Sequence, residues 1–153
     1  SECCAHQATA SAGVTICDYK LPIYYALEIS SGLLEDAKNT VGKGAVSFAF
    51  LEGMEGEYEN RSRRAYRWRE FKDMLNMVRN LNRMGLSASQ LRSVATSSGK
   101  NELQAEILVK YQMGKKRIPW DTGTQLLKQV KSGFLADAFK IHSYFRGGEM
   151  KFD

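Results

Sequence analysis

The sequence predicts an α+β chain, with a β-α-β unit at its start and an all-helical region after it. Three observations predict this. The stretches TASAGVTI, from Thr9, and GAVSFAF, from Gly44, alternate with period two, the pattern of a strand buried on one face. Between them apolar residues recur at helical spacing. From Trp68 onward apolar residues return every three or four positions, and no further alternating run occurs.

In the first strand Ala10, Ala12, Val14 and Ile16 share one face. Thr9, Ser11, Gly13 and Thr15 share the other, which is unusually small. Pro22 suits a first helical turn, and Ile23, Ala26, Leu27, Ser30, Leu33, Leu34 and Ala37 form a helical stripe. The spacing predicts a helix from Pro22 to Asn39, stopping near Gly42 and Gly44. In the second strand Val46, Phe48 and Phe50 are bulky, whereas Ala45, Ser47 and Ala49 are small. Strand, helix and strand of these lengths make a crossover unit with parallel strands in one sheet. On this reading the helix covers the bulky faces, and the small faces line the opposite side. Two short strands need further partners, and the rest of the chain offers few.

LEGMEGEYENRS is acidic, glycine-rich and without periodicity. It reads as a loop and a boundary, dividing the chain into domains 1–55 and 56–153. RSRRAYRWR sets Arg61, Arg63, Arg64, Arg67 and Arg69 around Tyr66 and Trp68. Guanidiniums beside aromatics suit phosphate and base contacts. The preferred reading is plainer, a solvated helix face whose Trp68 points into the core. Trp68, Phe71, Leu75, Val78 and Leu81 mark a helix stopped by Gly85. Ser87 caps a short helix carrying Leu91, Val94 and Ala95, broken at Ser97, Ser98 and Gly99. Leu103, Ile107 and Tyr111 form the next stripe, ended by Gly114. Asp121 or Thr122 starts a last stretch, which KSGF bends or splits.

Composition sets limits on function. The chain has 153 residues, 43% hydrophobic and 25% charged, with a net charge of +5. That suits one compact domain or two small ones. No apolar run reaches membrane-spanning length, and no basic region followed by an apolar stretch opens the sequence, so a cytoplasmic setting without a membrane partner is expected. Cys3, Cys4 and His6 lie close together, but a zinc site needs four well-spaced ligands; with Cys17 they are expected to be free thiols. No metal site is expected. His6 and His142 are isolated and no nucleophile has a base partner, so no catalytic residue is assigned and His142 reads as a packing residue. Gly147-Gly148-Glu149 reads as a glycine stop after the last helix.

The pieces TASAGVTI, LLEDAKNTVGKG and AVSFAF, in that order, resemble the C-terminal half of a GGDEF-type nucleotide cyclase domain. The Ser-Ala-Gly variant, followed by Tyr-Lys-Leu-Pro and LLEDAK, is more specifically similar to the palm of the large polymerase–cyclase subunit of type III CRISPR effector complexes. The Trp-x-x-Phe helix with GLSASQL, LQAEILVKY and LADAF is similar to the helical domain that follows the palm in that family. The resemblance implies the β-α-β end of a ferredoxin-like, GGDEF-like palm followed by an all-helical domain. In antiviral defence the complete subunit binds ATP with magnesium and joins it into cyclic oligoadenylates when target RNA is recognised. By motif match Ser11 lies near the base, Gly13 permits close approach of the nucleotide along the bare strand face, and Lys38 reaches the phosphates. The family's Gly-Gly-Asp-Asp metal hairpin lies before the Ser-Ala-Gly strand, and this sequence starts after that point. The chain therefore looks like a portion of the subunit, predicted inactive alone. Its implied partners are the remainder of the large subunit, neighbouring CRISPR effector subunits and the guide RNA–target RNA complex.

Two other readings stay open. SASQLRSVATSSGKNELQAEILVKYQ gives a short helix, a glycine-containing turn and a second helix, the outline of a helix-turn-helix DNA binder. A helical protein-interaction module is the other, since the helix-rich part has apolar stripes and no catalytic constellation.

Overall fold

The computed structural model describes residues 9–40, 44–52 and 58–145. Cys3, Cys4, His6, Gly42 and the Gly147–Glu149 segment lie outside them. The chain divides into two compact units, Ser1–Phe71 and Lys72–Asp153. The first unit thus runs past the boundary expected at residue 55, because the segment read as a loop contributes strands.

The first unit is built from β1 (Ala12–Cys17), α1 (Ile23–Asn39), β2 (Ala45–Glu52), β3 (Tyr58–Arg61) and β4 (Tyr66–Arg67). β1 and β2 pair in parallel, Gly13 opposite Ser47 and Val14 opposite Phe48. The expected crossover unit is present. Pro22 is the cap residue of α1, and Thr40 ends it with its hydroxyl donating to the Asp36 carbonyl at 3.0 Å. The partners the two strands required come from β3 and β4, which both lie antiparallel on the other side of β2. RSRRAYRWR is therefore not a helix face. It is the end of β3, a connecting loop, β4 and the first residues of α2 (Trp68–Arg83). Trp68 is not in the core either. It is 46% exposed, its indole N–H donates to the Ala10 carbonyl at 2.8 Å, and its ring meets Phe71 edge-on.

The expected facing of the sheet is reversed. α1 covers the small face, not the bulky one. Leu21, Ile29 and Leu33 form one core cluster with Ala49 and Leu51, and Cys17, Tyr25 and Ala26 pack against it. A Cβ on Gly13 would run into the Ser30 carbonyl oxygen and stand 2.5 Å from the Leu34 nitrogen and 3.0 Å from the Leu33 carbonyl carbon. The physical reason is distance. Small residues under a helix let its backbone settle onto the strands, so most of the contact is dispersion between backbone and sheet. The bulky residues pack among themselves on the other face, where the Phe48 ring lies 5.8 Å from Phe50, 6.5 Å from Tyr66 and 6.0 Å from Phe71.

The second unit holds the rest of α2 with α3 (Ala88–Lys100), α4 (Glu102–Gly114), α5 (Trp120–Lys131) and α6 (Leu135–Phe145). α3 packs on α4 and α6, and α4 on α5. Its core includes Val78, Leu81, Leu91, Val94, Val109, Leu126, Val130 and Leu135. The predicted stop at Gly85 and the predicted split at KSGF are both present, each at a glycine with positive φ, 65° at Gly85 and 73° at Gly133, where a Cβ is disfavoured. Ser87 caps α3 in a reciprocal box with Gln90, a device worth about 1 kcal/mol.

Two helical expectations fail. Ser97–Lys100 is not a turn but the last stretch of α3, and α3 meets α4 at Asn101 alone. That residue's N–H donates to the Ser97 carbonyl at 2.8 Å, and its side chain accepts from the Leu103 N–H at 2.9 Å. Ser98 is buried and a Cβ on Gly99 would stand 3.7 Å from that of Ala136, so close packing against α6 overrides their low helix propensity. The glycine-containing turn of the helix-turn-helix reading is thus absent here. The Leu103, Ile107 and Tyr111 stripe is exposed at 63%, 58% and 56%. α4 turns Ala105, Val109 and Gln112 inward instead, because the smaller side chains admit closer neighbours. His142 is buried as expected, its ring stacked 6.1 Å from Phe139.

Candidate functional site

α1 returns the chain from the end of β1 to the start of β2. Its last turn, the start of β1 and the start of β2 therefore meet at one end of the first unit. Ser11 lies there, and its hydroxyl accepts the Gly44 N–H at 3.2 Å. Lys38 is exposed on the last turn of α1, a position favourable to a cation through the helix dipole. Gly13 lies further along β1, and its missing Cβ accommodates the backbone of α1. The strand face expected to stay bare beside a nucleotide is thus occupied by the protein's own helix.

Beside the last turn of α1 a cleft of about 310 Å³ opens. Asp36, Asn39 and Thr40 line it from α1, Ser47 from β2, and residues 61–65 from the chain between β3 and β4. Lys38 is not part of the lining. The last segment reaches the cleft because it bulges. Arg61 pairs with Ala49 and Tyr66 with Val46, so residues 62–65 stand against only Ser47 and Phe48 of β2. Extra residues of this kind bend a strand and re-aim its side chains.

The bulge is pinned at both ends. The Ser62 N–H donates to the Phe48 carbonyl at 2.8 Å, and the Ser62 hydroxyl accepts the Phe48 N–H at 3.2 Å. At the exit, Glu70 accepts the Arg67 N–H at 3.0 Å and holds the Arg64 guanidinium at 3.3 Å. That guanidinium also lies 5.0 Å from the centroid of the buried Tyr66 ring, within cation–π range. The carboxylate and the ring fix a cation whose side chain is still half exposed.

The sequence pointed to Arg61, Arg63 and Arg64 as a charge cluster, but not to their cleft. The signal that could have found it is Tyr66, an aromatic residue buried in a run of arginines. Among the described residues no three His, Cys, Asp or Glu side chains gather as a metal site would require, and no helix is long and apolar enough to cross a membrane. No family model, curated protein or solved structure matches this chain.

Proposed function

We propose that this chain is a portion of the large polymerase–cyclase subunit of a type III CRISPR effector complex. Its first unit supplies part of the palm, and its helices contact neighbouring subunits. In the complete palm ATP and magnesium make cyclic oligoadenylate on recognition of target RNA. The observation that supports this reading is the parallel β1–α1–β2 crossover, with the Ser-Ala-Gly strand at the sheet edge and Lys38 on the last turn of the connecting helix. The bare-face argument no longer contributes, so the nucleotide role rests on the motif match at Ser11, Gly13 and Lys38. A charge-assisted contact to phosphate is worth about 1.5–3 kcal/mol. In the complete subunit Lys38→Ala is therefore expected to slow ATP turnover by about tenfold or more, with an unchanged melting temperature. Unchanged turnover in the folded variant removes Lys38 from the nucleotide site.

A second reading, a helical protein-interaction module, is favoured by one observation of its own. Leu103, Ile107 and Tyr111 form an exposed apolar row along α4, and rows of this kind mark helix-in-groove contacts. Ile107→Asp is expected to abolish binding to a neighbouring effector subunit in a reconstituted complex, while shifting stability by no more than about 0.5 kcal/mol. Assembly with unaltered affinity would remove α4 from the contact surface.

A further inference from the structure

We propose that the cleft between the last turn of α1 and the bulged segment 61–65 binds a ribose phosphate, as a free ribonucleotide or as a unit of single-stranded RNA. The proposal uses only the cleft, and stands whether or not the chain belongs to a palm.

The two sides of the cleft differ in chemistry. The bulge brings Arg61, Arg63 and Arg64 to one side. Guanidinium forks carry several N–H donors and match the oxygens of a phosphate, and all three arginines have other contacts within the chain that hold them in place. Arg64 is held by Glu70 and by the Tyr66 ring, which orders the segment before any ligand arrives and lowers the entropic cost of binding. The opposite side presents Asp36 and Asn39. A carboxylate would repel a phosphate placed against it, but it accepts hydrogen bonds from hydroxyls. Ser47 of β2 lines the cleft as well. A ligand with an anionic end and a hydroxyl-bearing end satisfies both sides at once. Inorganic phosphate satisfies one, and a free sugar the other. The volume of about 310 Å³ is at the lower end for small-molecule sites and suits a single nucleotide unit.

The test maps backbone amide shifts in the full chain on addition of ATP, deoxy-ATP, inorganic pyrophosphate or a short oligoadenylate RNA. Millimolar ATP or the RNA is expected to move the Thr40, Ser47 and Ser62 amides, with deoxy-ATP and pyrophosphate binding more weakly. Stronger binding by ATP identifies a nucleotide site, and stronger binding by the RNA a strand site. Arg61→Gln/Arg63→Gln is expected to weaken the preferred probe by about tenfold or more, and Lys128→Gln, on the exposed side of α5, to leave it unchanged. The amide map on the unaltered chain decides the matter even where the double variant unfolds. Unmoved amides at Thr40, Ser47 and Ser62 with every probe overturn the proposal. So does equal weakening by Lys128→Gln, which marks general attraction to a basic chain.

Discussion

Gly13→Ala is expected to destabilise the first unit by about 3 kcal/mol, the upper part of the range for overpacked sites. The added Cβ would overlap the Ser30 carbonyl and lie 2.5 Å from the Leu34 nitrogen. Both are backbone atoms of a helix interior, so no side chain can swing away. Relief is possible only if α1 lifts from the sheet, which opens the cluster of Ile29, Leu33, Ala49 and Leu51. Alanine is otherwise preferred to glycine within a strand by roughly 0.5–1 kcal/mol, too little to offset the overlap. Gly32 provides the control. It lies within α1 with nothing inside 4 Å of its would-be Cβ, so Gly32→Ala is expected to stabilise by up to about 1 kcal/mol. Urea unfolding of the two variants measures the contrast. A neutral Gly13→Ala would mean that α1 does not rest on the small face, and would restore that face as an open wall.

Lys140→Met is expected to cost about 3 kcal/mol. Asp137 is fully buried in the first turn of α6, and its Oδ1 lies 2.9 Å from the Lys140 ammonium. Removing the cation leaves a carboxylate in the interior without this counter-charge, and breaking a buried pair from one side is far costlier than removing both members. Both residues have further contacts, which keeps the cost at the lower end of that range. The double variant Asp137→Leu/Lys140→Met is expected to recover most of the loss, since a well-packed apolar pair matches a buried ion pair in stability. Equal stability of Lys140→Met and the native chain in urea would show that the pair contributes nothing.

The two glycine positions also show where sequence reading stops. Periodicity determined the strands β1 and β2, the helix between them and its end within a residue or two. Period-two and period-3.6 patterns are local properties of the backbone. Ser87, Gly85 and Gly133 were legible for the same reason, because caps and positive-φ turns depend on the residue itself. Alternation separates two faces, however, without saying which one a helix will cover. Only the approach of α1 onto Gly13 decided that. The Leu103, Ile107 and Tyr111 stripe failed in the same way. Its spacing defined a helix, and the neighbours of α4 chose Ala105 and Val109 for the interior.

The strands β3 and β4 left no periodic signal, since one has four residues and the other two. They exist because β2 offers an open ladder edge, a condition met far from their own sequence. The cleft is a consequence of that pairing. The sequence by itself determined that arginines cluster between residues 61 and 69. Tertiary structure alone decided that the cluster bulges from a sheet edge to face Asp36 and Asn39. The register of a short edge strand is set by its partner's hydrogen bonds and not by its own side chains.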